Sequence, residues 1–182
     1  MKLFKIIGVL WLILSLTSCT INNKKSHGFF DRHAHEYIIL PKSNRFISIS
    51  KDTIVPNLLK AKIKIFIYVD SSGCTGCKLQ LDSWEFFMSD AMKASKGEIA
   101  FLFYFQSHNI QELEYLLKNE DFDYPVCVDS KNEIEKLNDF HSDCFYLLNK
   151  DNKIILEGNP LQTMNMRKKY ISKIVQYVNE NY

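Results

Sequence analysis

Residues 63–77 read Ile63-Lys64-Ile65-Phe66-Ile67-Tyr68-Val69-Asp70-Ser71-Ser72-Gly73-Cys74-Thr75-Gly76-Cys77. The first seven are rich in β-branched and aromatic side chains and become almost wholly apolar toward Val69, as a strand buried on both faces does. Asp70 to Gly73 breaks the run. Beyond it Cys77, Leu81, Trp84, Met88 and Ala91 recur at steps of four, three, four and three, a spacing that stacks them on one helical face. Asp82, Glu85 and Ser89 fall off that stripe. The stretch therefore predicts a C-x-x-C pair at the end of a buried strand and the start of an amphipathic helix.

Downstream the pattern alternates. Ile99–Phe105 reads as a second buried strand, residues 109–119 as a helix with Leu113, Leu116 and Leu117 inward, and Tyr124–Val128 as a third strand. Ser130-Lys131-Asn132-Glu133 has the form of a capping box opening a short helix with Ile134 and Leu137. Cys144–Leu148 is a fourth strand, Lys150-Asp151-Asn152 a turn, and Lys153–Leu156 its hairpin partner. Residues 164–179 close the chain with a helix whose stripe is Tyr170, Ile171, Ile174, Val175 and Val178. Upstream, Ile38–Pro41 and Phe46–Ile49 read as short edge or lead-in strands, punctuated by Pro41 and Pro56. The order β-α-β-α-β-α-β-β-α implies an α/β fold in three layers, a mixed central sheet with helices on both faces and a C-terminal hairpin plus helix.

The chain has 182 residues, 46% of them apolar and 13% aromatic, with a net charge of +2. That length fits one domain with a substantial core and excludes a disordered chain. A mean hydropathy of −0.17 excludes a polytopic membrane protein. The near-neutral balance argues against nucleic acid as a partner.

Lys2 and Lys5 followed by the apolar run Ile6–Leu16 form the charged and hydrophobic regions of a secretory signal, too short for a span of about 20 residues. These two lysines account for the whole charge excess. Leu16-Thr17-Ser18-Cys19 resembles a bacterial lipobox, which implies lipidation of Cys19 and removal of residues 1–18. Residues 19–36 then form a polar tether carrying His27, His33 and His35, read as solvated histidines, and residues 37–182 form the domain. The expected location is the bacterial cell envelope, lipid-anchored to a membrane, with the domain in the periplasm.

A C-x-x-C pair at a strand-to-helix junction is a redox arrangement. The helix N-terminus carries partial positive charge and unpaired N–H groups, which favour the thiolate of Cys74 as nucleophile. Cys77, one turn further in, is the resolving thiol. The partners expected are protein thiols or disulfides of the envelope, and no cofactor is needed.

Residues from about 60 to 180 resemble the thioredoxin-fold domain of the TlpA-type thiol–disulfide oxidoreductases. The resemblance rests on the order of elements and on Phe145–Ile154, which is similar to that group's strand-turn-strand motif. Tyr68–Leu81 is similar to a set of bacterial lipoproteins with the motif Y-x-D-S-x-G-C-T-x-C-K-L-Q-L. It departs from thioredoxins in three places: Gly73 stands where Trp precedes the first Cys, Thr75-Gly76 replaces Gly-Pro, and Asp143 falls at the position of the cis-proline. An acidic Asp143 beside Cys74 would raise that thiol's pKa.

Three other groups accompany the pair. Asp70 ends the strand and starts the turn, with a proton-acceptor role for Cys77 as the alternative. Cys144 follows Asp143 and reads as a buried small hydrophobe, as does Cys127. Cys74, Cys77, His141 and Cys144 together carry the donors of a Cys3His metal site. Two alternatives to the oxidoreductase therefore stay open: a non-catalytic thioredoxin-like binding module, and a Cys/His metal site.

Overall fold

The computed structural model describes residues 37–42, 46–49, 55–72 and 79–181. The leader, Cys19, the tether histidines and the Cys74–Cys77 pair lie outside the described residues. The described elements in chain order are β1 (Phe46–Ile47), α1 (Val55–Leu59), β2 (Ile63–Val69), α2 (Leu81–Ala94), β3 (Ile99–Phe105) and α3 (Ile110–Asn119). They continue with β4 (Val126–Val128), α4 (Glu133–Asn138), β5 (Cys144–Asn149), β6 (Ile154–Glu157) and α5 (Met164–Asn181). From β2 onward this is the order expected from the periodicity. None of these helices is long and apolar enough to cross a membrane.

The strands form one mixed sheet in the order β1-β4-β3-β2-β5-β6. β2 runs parallel to β3, and β3 parallel to β4; β5 pairs antiparallel with both β2 and β6, and β1 antiparallel with β4. The two apolar runs supply the two central strands, every residue of which is buried. Continuous burial follows from layers on both faces.

Ile63, Ile65, Ile67 and Val69 point into one core, shared with α2, α3 and α5. Phe66 and Tyr68 point into the other, with Ile134 and Phe140 on or beside α4 and Leu58 and Leu59 from α1. In the first core Trp84 stacks on Phe145 (centroids 6.1 Å, planes at 20°) and stands edge-on to Phe103 at 5.5 Å. Aromatic pairs in these geometries add to the area they bury. Tyr170 of α5 donates its hydroxyl to the Gly158 carbonyl at 2.7 Å, and Arg167 pairs with Asp90 at 2.7 Å, so α5 is tied to the hairpin and to α2.

The structure corrects the periodicity at its margins. Ile38–Pro41 is not a strand: only Tyr37 bridges the sheet, to Lys153. Asn138 takes both backbone groups of Ile39, accepting its N–H at 2.8 Å and donating to its carbonyl at 2.9 Å, so neither is left for a ladder. Of Phe46–Ile49 only the first two residues pair. Tyr124 and Pro125 lie outside β4. The cap of α4 is Asp129 rather than Ser130: its carboxylate oxygens accept the N–H groups of Glu133 (2.8 Å) and Ile134 (2.9 Å). A carboxylate is the stronger acceptor and matches the helix dipole. On α2 Phe87 is fully buried alongside Trp84, while Met88 is half-buried; on α5 Val175 is exposed.

Candidate functional site

β2 and β3 both end at the pole of the sheet where β5 begins. The register places Tyr68 opposite Cys144 and Val69 opposite Phe105. Carboxyl ends of parallel strands are where sites form in such sheets. Ser72 and Leu79, the nearest described residues on either side, bracket the segment that contains Cys74 and Cys77. The pair therefore falls in the connection between β2 and α2.

That connection is bounded on its far side by a break in helical geometry. Gln80 sits in the left-handed region at φ 44°, ψ 44°, and α2 begins only at Leu81, with Asp82 in its first turn. Leu79, before this break, is itself helical and buried; Cys77 lies outside the described residues, so the described part of the expected stripe begins at Leu81. A glutamine at positive φ interrupts the run of helical amides.

On the near side, three successive amides meet three side-chain oxygens. The Asp70 N–H donates to Asp143 Oδ1 at 2.9 Å, and the Ser71 N–H donates to Gln106 Oε1 at 3.0 Å. The Ser72 N–H and hydroxyl donate to Asp70 Oδ1 at 2.9 and 2.7 Å. Asp70 thus closes an Asx turn at the end of the strand, as its residue type suggests. Gln106 is itself held: its N–H donates to the Val69 carbonyl at 2.9 Å and the Tyr68 hydroxyl donates to its Oε1 at 3.2 Å.

Asp70, Asp143 and Cys144 are therefore brought to one place, at the end of β2 from which the chain runs on toward Cys74. Cys144 is half-buried rather than buried as expected, because it is the first residue of β5 at the pole of the sheet, and it donates its thiol proton to the Ser142 carbonyl at 3.2 Å. Burial pushes its thiol up to about 12; a hydrogen bond with Tyr146 works against this, while the charges of Glu157, Asp143 and Asp70 add to it. Burial also raises the Tyr68 phenol well above its ordinary value, with Glu135, Asp129 and Asp70 contributing. Both groups stay protonated at neutral pH and serve as hydrogen-bond donors. Cys127 is buried in β4, in the second core, as its apolar setting implies.

His141 does not turn into this cluster. Its side chain is 81% exposed and faces Asp139 at 3.7 Å. Among the described residues no group of three His, Cys, Asp or Glu side chains is arranged to hold a metal ion. Gln106 is the site residue that periodicity alone misses. The available signal was a single amide directly after seven apolar residues, at a strand end on the polar pole.

No protein-family model matches the chain, and no curated protein does. Solved structures do. StoA from Bacillus subtilis matches at 21% identity over 71% of this chain and 98% of that one, with a TM-score of 0.51. A thioredoxin-like protein from Porphyromonas gingivalis matches at 18% identity over 80% and 95%, with a TM-score of 0.54. The thioredoxin domain of a thiol-disulfide oxidoreductase from Bacteroides vulgatus matches at 10% identity over 75% and 99%, with a TM-score of 0.51. The fold is thioredoxin-like: a mixed sheet with helices, similar to these structures over nearly the whole length of each.

Proposed function

We propose that the protein is a membrane-tethered thiol–disulfide oxidoreductase acting through Cys74 and Cys77. The observation that carries this reading is the place of the C-x-x-C in the chain, between the end of β2 and α2 of a thioredoxin-like sheet. The likeness to the thioredoxin domain of a thiol-disulfide oxidoreductase supports a redox role in general. The thiolate of Cys74 attacks one sulfur of a substrate disulfide, forming a mixed disulfide and releasing the other sulfur as a thiolate. Cys77, deprotonated, then attacks the Cys74 sulfur and releases the substrate's second thiolate. The substrate gains two electrons and the enzyme pair becomes a disulfide; the reverse sequence oxidises a dithiol. Lipid on Cys19 would hold the domain at an envelope membrane, with residues 19–36 as tether and residues 1–18 removed.

A second reading is favoured by Asp143, which stands where the resemblance places a substrate-binding cis-proline: a binding module whose cysteines are dispensable. One experiment separates the two. A Cys77→Ser variant expressed in cells is expected to accumulate mixed disulfides on Cys74 that disappear on reduction. Alkylation of Cys74 no faster than a free thiol at neutral pH, with a Cys74→Ser/Cys77→Ser chain that retains wild-type behaviour, would leave the binding module standing.

A further inference from the structure

We propose that Asp143 and Gln106 are positioning residues for the thiol pair, clamping the exit of β2 from beside its two flanking strands. The inference rests on the oxidoreductase reading above. β2 lies between β3 and β5. Gln106 reaches in from the end of β3 and Asp143 from the residue before β5, and each takes one amide of the departing chain, at 3.0 and 2.9 Å. The third amide, of Ser72, is taken by Asp70.

A strand end ordinarily leaves its last amides to loop or water. Here residues 70, 71 and 72 each have a side-chain acceptor, and the acceptors come from three different places in the chain. Gln106 can hold its share rigidly because it is 9% exposed and is fixed by the Tyr68 hydroxyl and by its own N–H to Val69. Ser72 precedes Cys74 by two residues, so the clamp sets where the redox loop starts. Disulfide exchange needs the attacking sulfur aligned with the bond it breaks, and small misplacements of reacting atoms are costly in rate.

Asp143 acts here as a hydrogen-bond acceptor, and that separates position from charge. Asp143→Asn keeps an oxygen for the Asp70 amide and removes the charge; Asp143→Ala removes both. Gln106→Glu keeps an oxygen for the Ser71 amide; Gln106→Leu does not. In the full chain, two quantities are measured for each variant: the rate of exchange of the reduced pair with oxidised glutathione, and amide hydrogen exchange at Asp70 and Ser71, with Phe66 as internal control.

Asp143→Ala is expected to speed hydrogen exchange at Asp70, and Gln106→Leu at Ser71, each lowering thiol exchange about tenfold. The Asn and Glu variants should return both readouts to within about twofold of wild type. Alanine and leucine variants that behave as wild type would overturn the proposal, and so would an Asn variant as slow as Ala, which would assign the effect to charge. The two pairs of variants are independent, so a chain that does not fold leaves the other pair to decide. Should the wild-type pair not exchange with glutathione at all, the oxidoreductase reading fails, while the amide data still decide the clamp.

Discussion

At the start of β2, Lys64 buries its entire side chain and donates its ammonium protons to the carbonyls of Ala61 (3.2 Å) and Lys150 (2.8 Å). At the far end of the same strand the donors are backbone amides and the acceptors are the side-chain oxygens of Asp143, Gln106 and Asp70. One end is sealed by a cation, the other framed by oxygens. The cationic end is sealed by a residue of β2 itself, which folds back on carbonyls nearby in space. Both ends depend on distant residues, Lys150 at one and Gln106 and Asp143 at the other, but only the far end takes side-chain acceptors from beside both flanking strands. A chain that must present a reactive segment gains from the second design, because neighbouring strands dictate where the segment leaves the sheet.

The largest test of this contrast lies at the acidic end. With Cys74 and Cys77 replaced by Ser, Cys144 is expected to alkylate roughly a thousandfold more slowly than a free thiol at neutral pH, since burial leaves so little thiolate. The rate should climb as pH approaches about 12. The sign for stability is set by the same shift. The folded state holds this proton more tightly than the unfolded chain, so the stabilisation is fully present below the ordinary 9.0 and lost between there and about 12. Alkylation near the free-thiol rate would mean that the half-buried Cys144 thiol is open to the reagent.

A smaller effect is expected at the cationic end. Lys64→Ala removes a buried stem and orphans two carbonyls, and should lower stability by about 2–4 kcal/mol in denaturant melts. Thiol exchange per folded molecule should be unchanged. Burial lowers the Lys64 pKa from its ordinary 10.5, with Asp151 opposing. Between the lowered value and 10.5 the unfolded chain binds more protons, so wild-type stability rises with pH there. Lys64→Met should lose that slope. Equal loss of exchange and stability in Lys64→Ala would erase the distinction between the ends.

The smallest effect is expected at His141, which is near the acidic end in sequence but exposed. His141→Ala should change stability by less than about 0.5 kcal/mol. Zinc retained through dialysis by the wild type and lost in this variant would revive the Cys/His site.

Much of the fold could be read from the chain because its two central strands are apolar runs interrupted only by Lys64, rich in β-branched and aromatic residues as two-sided burial favours. The hairpin at Lys150–Asn152 was equally plain. The elements misread were those decided by a single polar side chain. Asn138 holds Ile39 out of a ladder across a separation of 99 residues, which no local pattern carries. Asp129 outcompetes Ser130 because the chain turns through left-handed Asn132, at φ 54°. The placement of Asp143 and Cys144 at the start of β5 was legible, since the hairpin fixes that strand. The role of Gln106 was not, because an amide at a strand end looks like any polar punctuation until its two donors are seen.

The stacking of Trp84 on Phe145 has an optical consequence. The sequence contains only two tryptophans, Trp11 and Trp84. In a chain without its first 18 residues, all indole emission would come from one ring. That ring lies against the neighbour of Cys144, at the start of β5. The colour and intensity of its fluorescence would then follow the packing between α2 and β5, beside the pole where the strands end, without any label being attached.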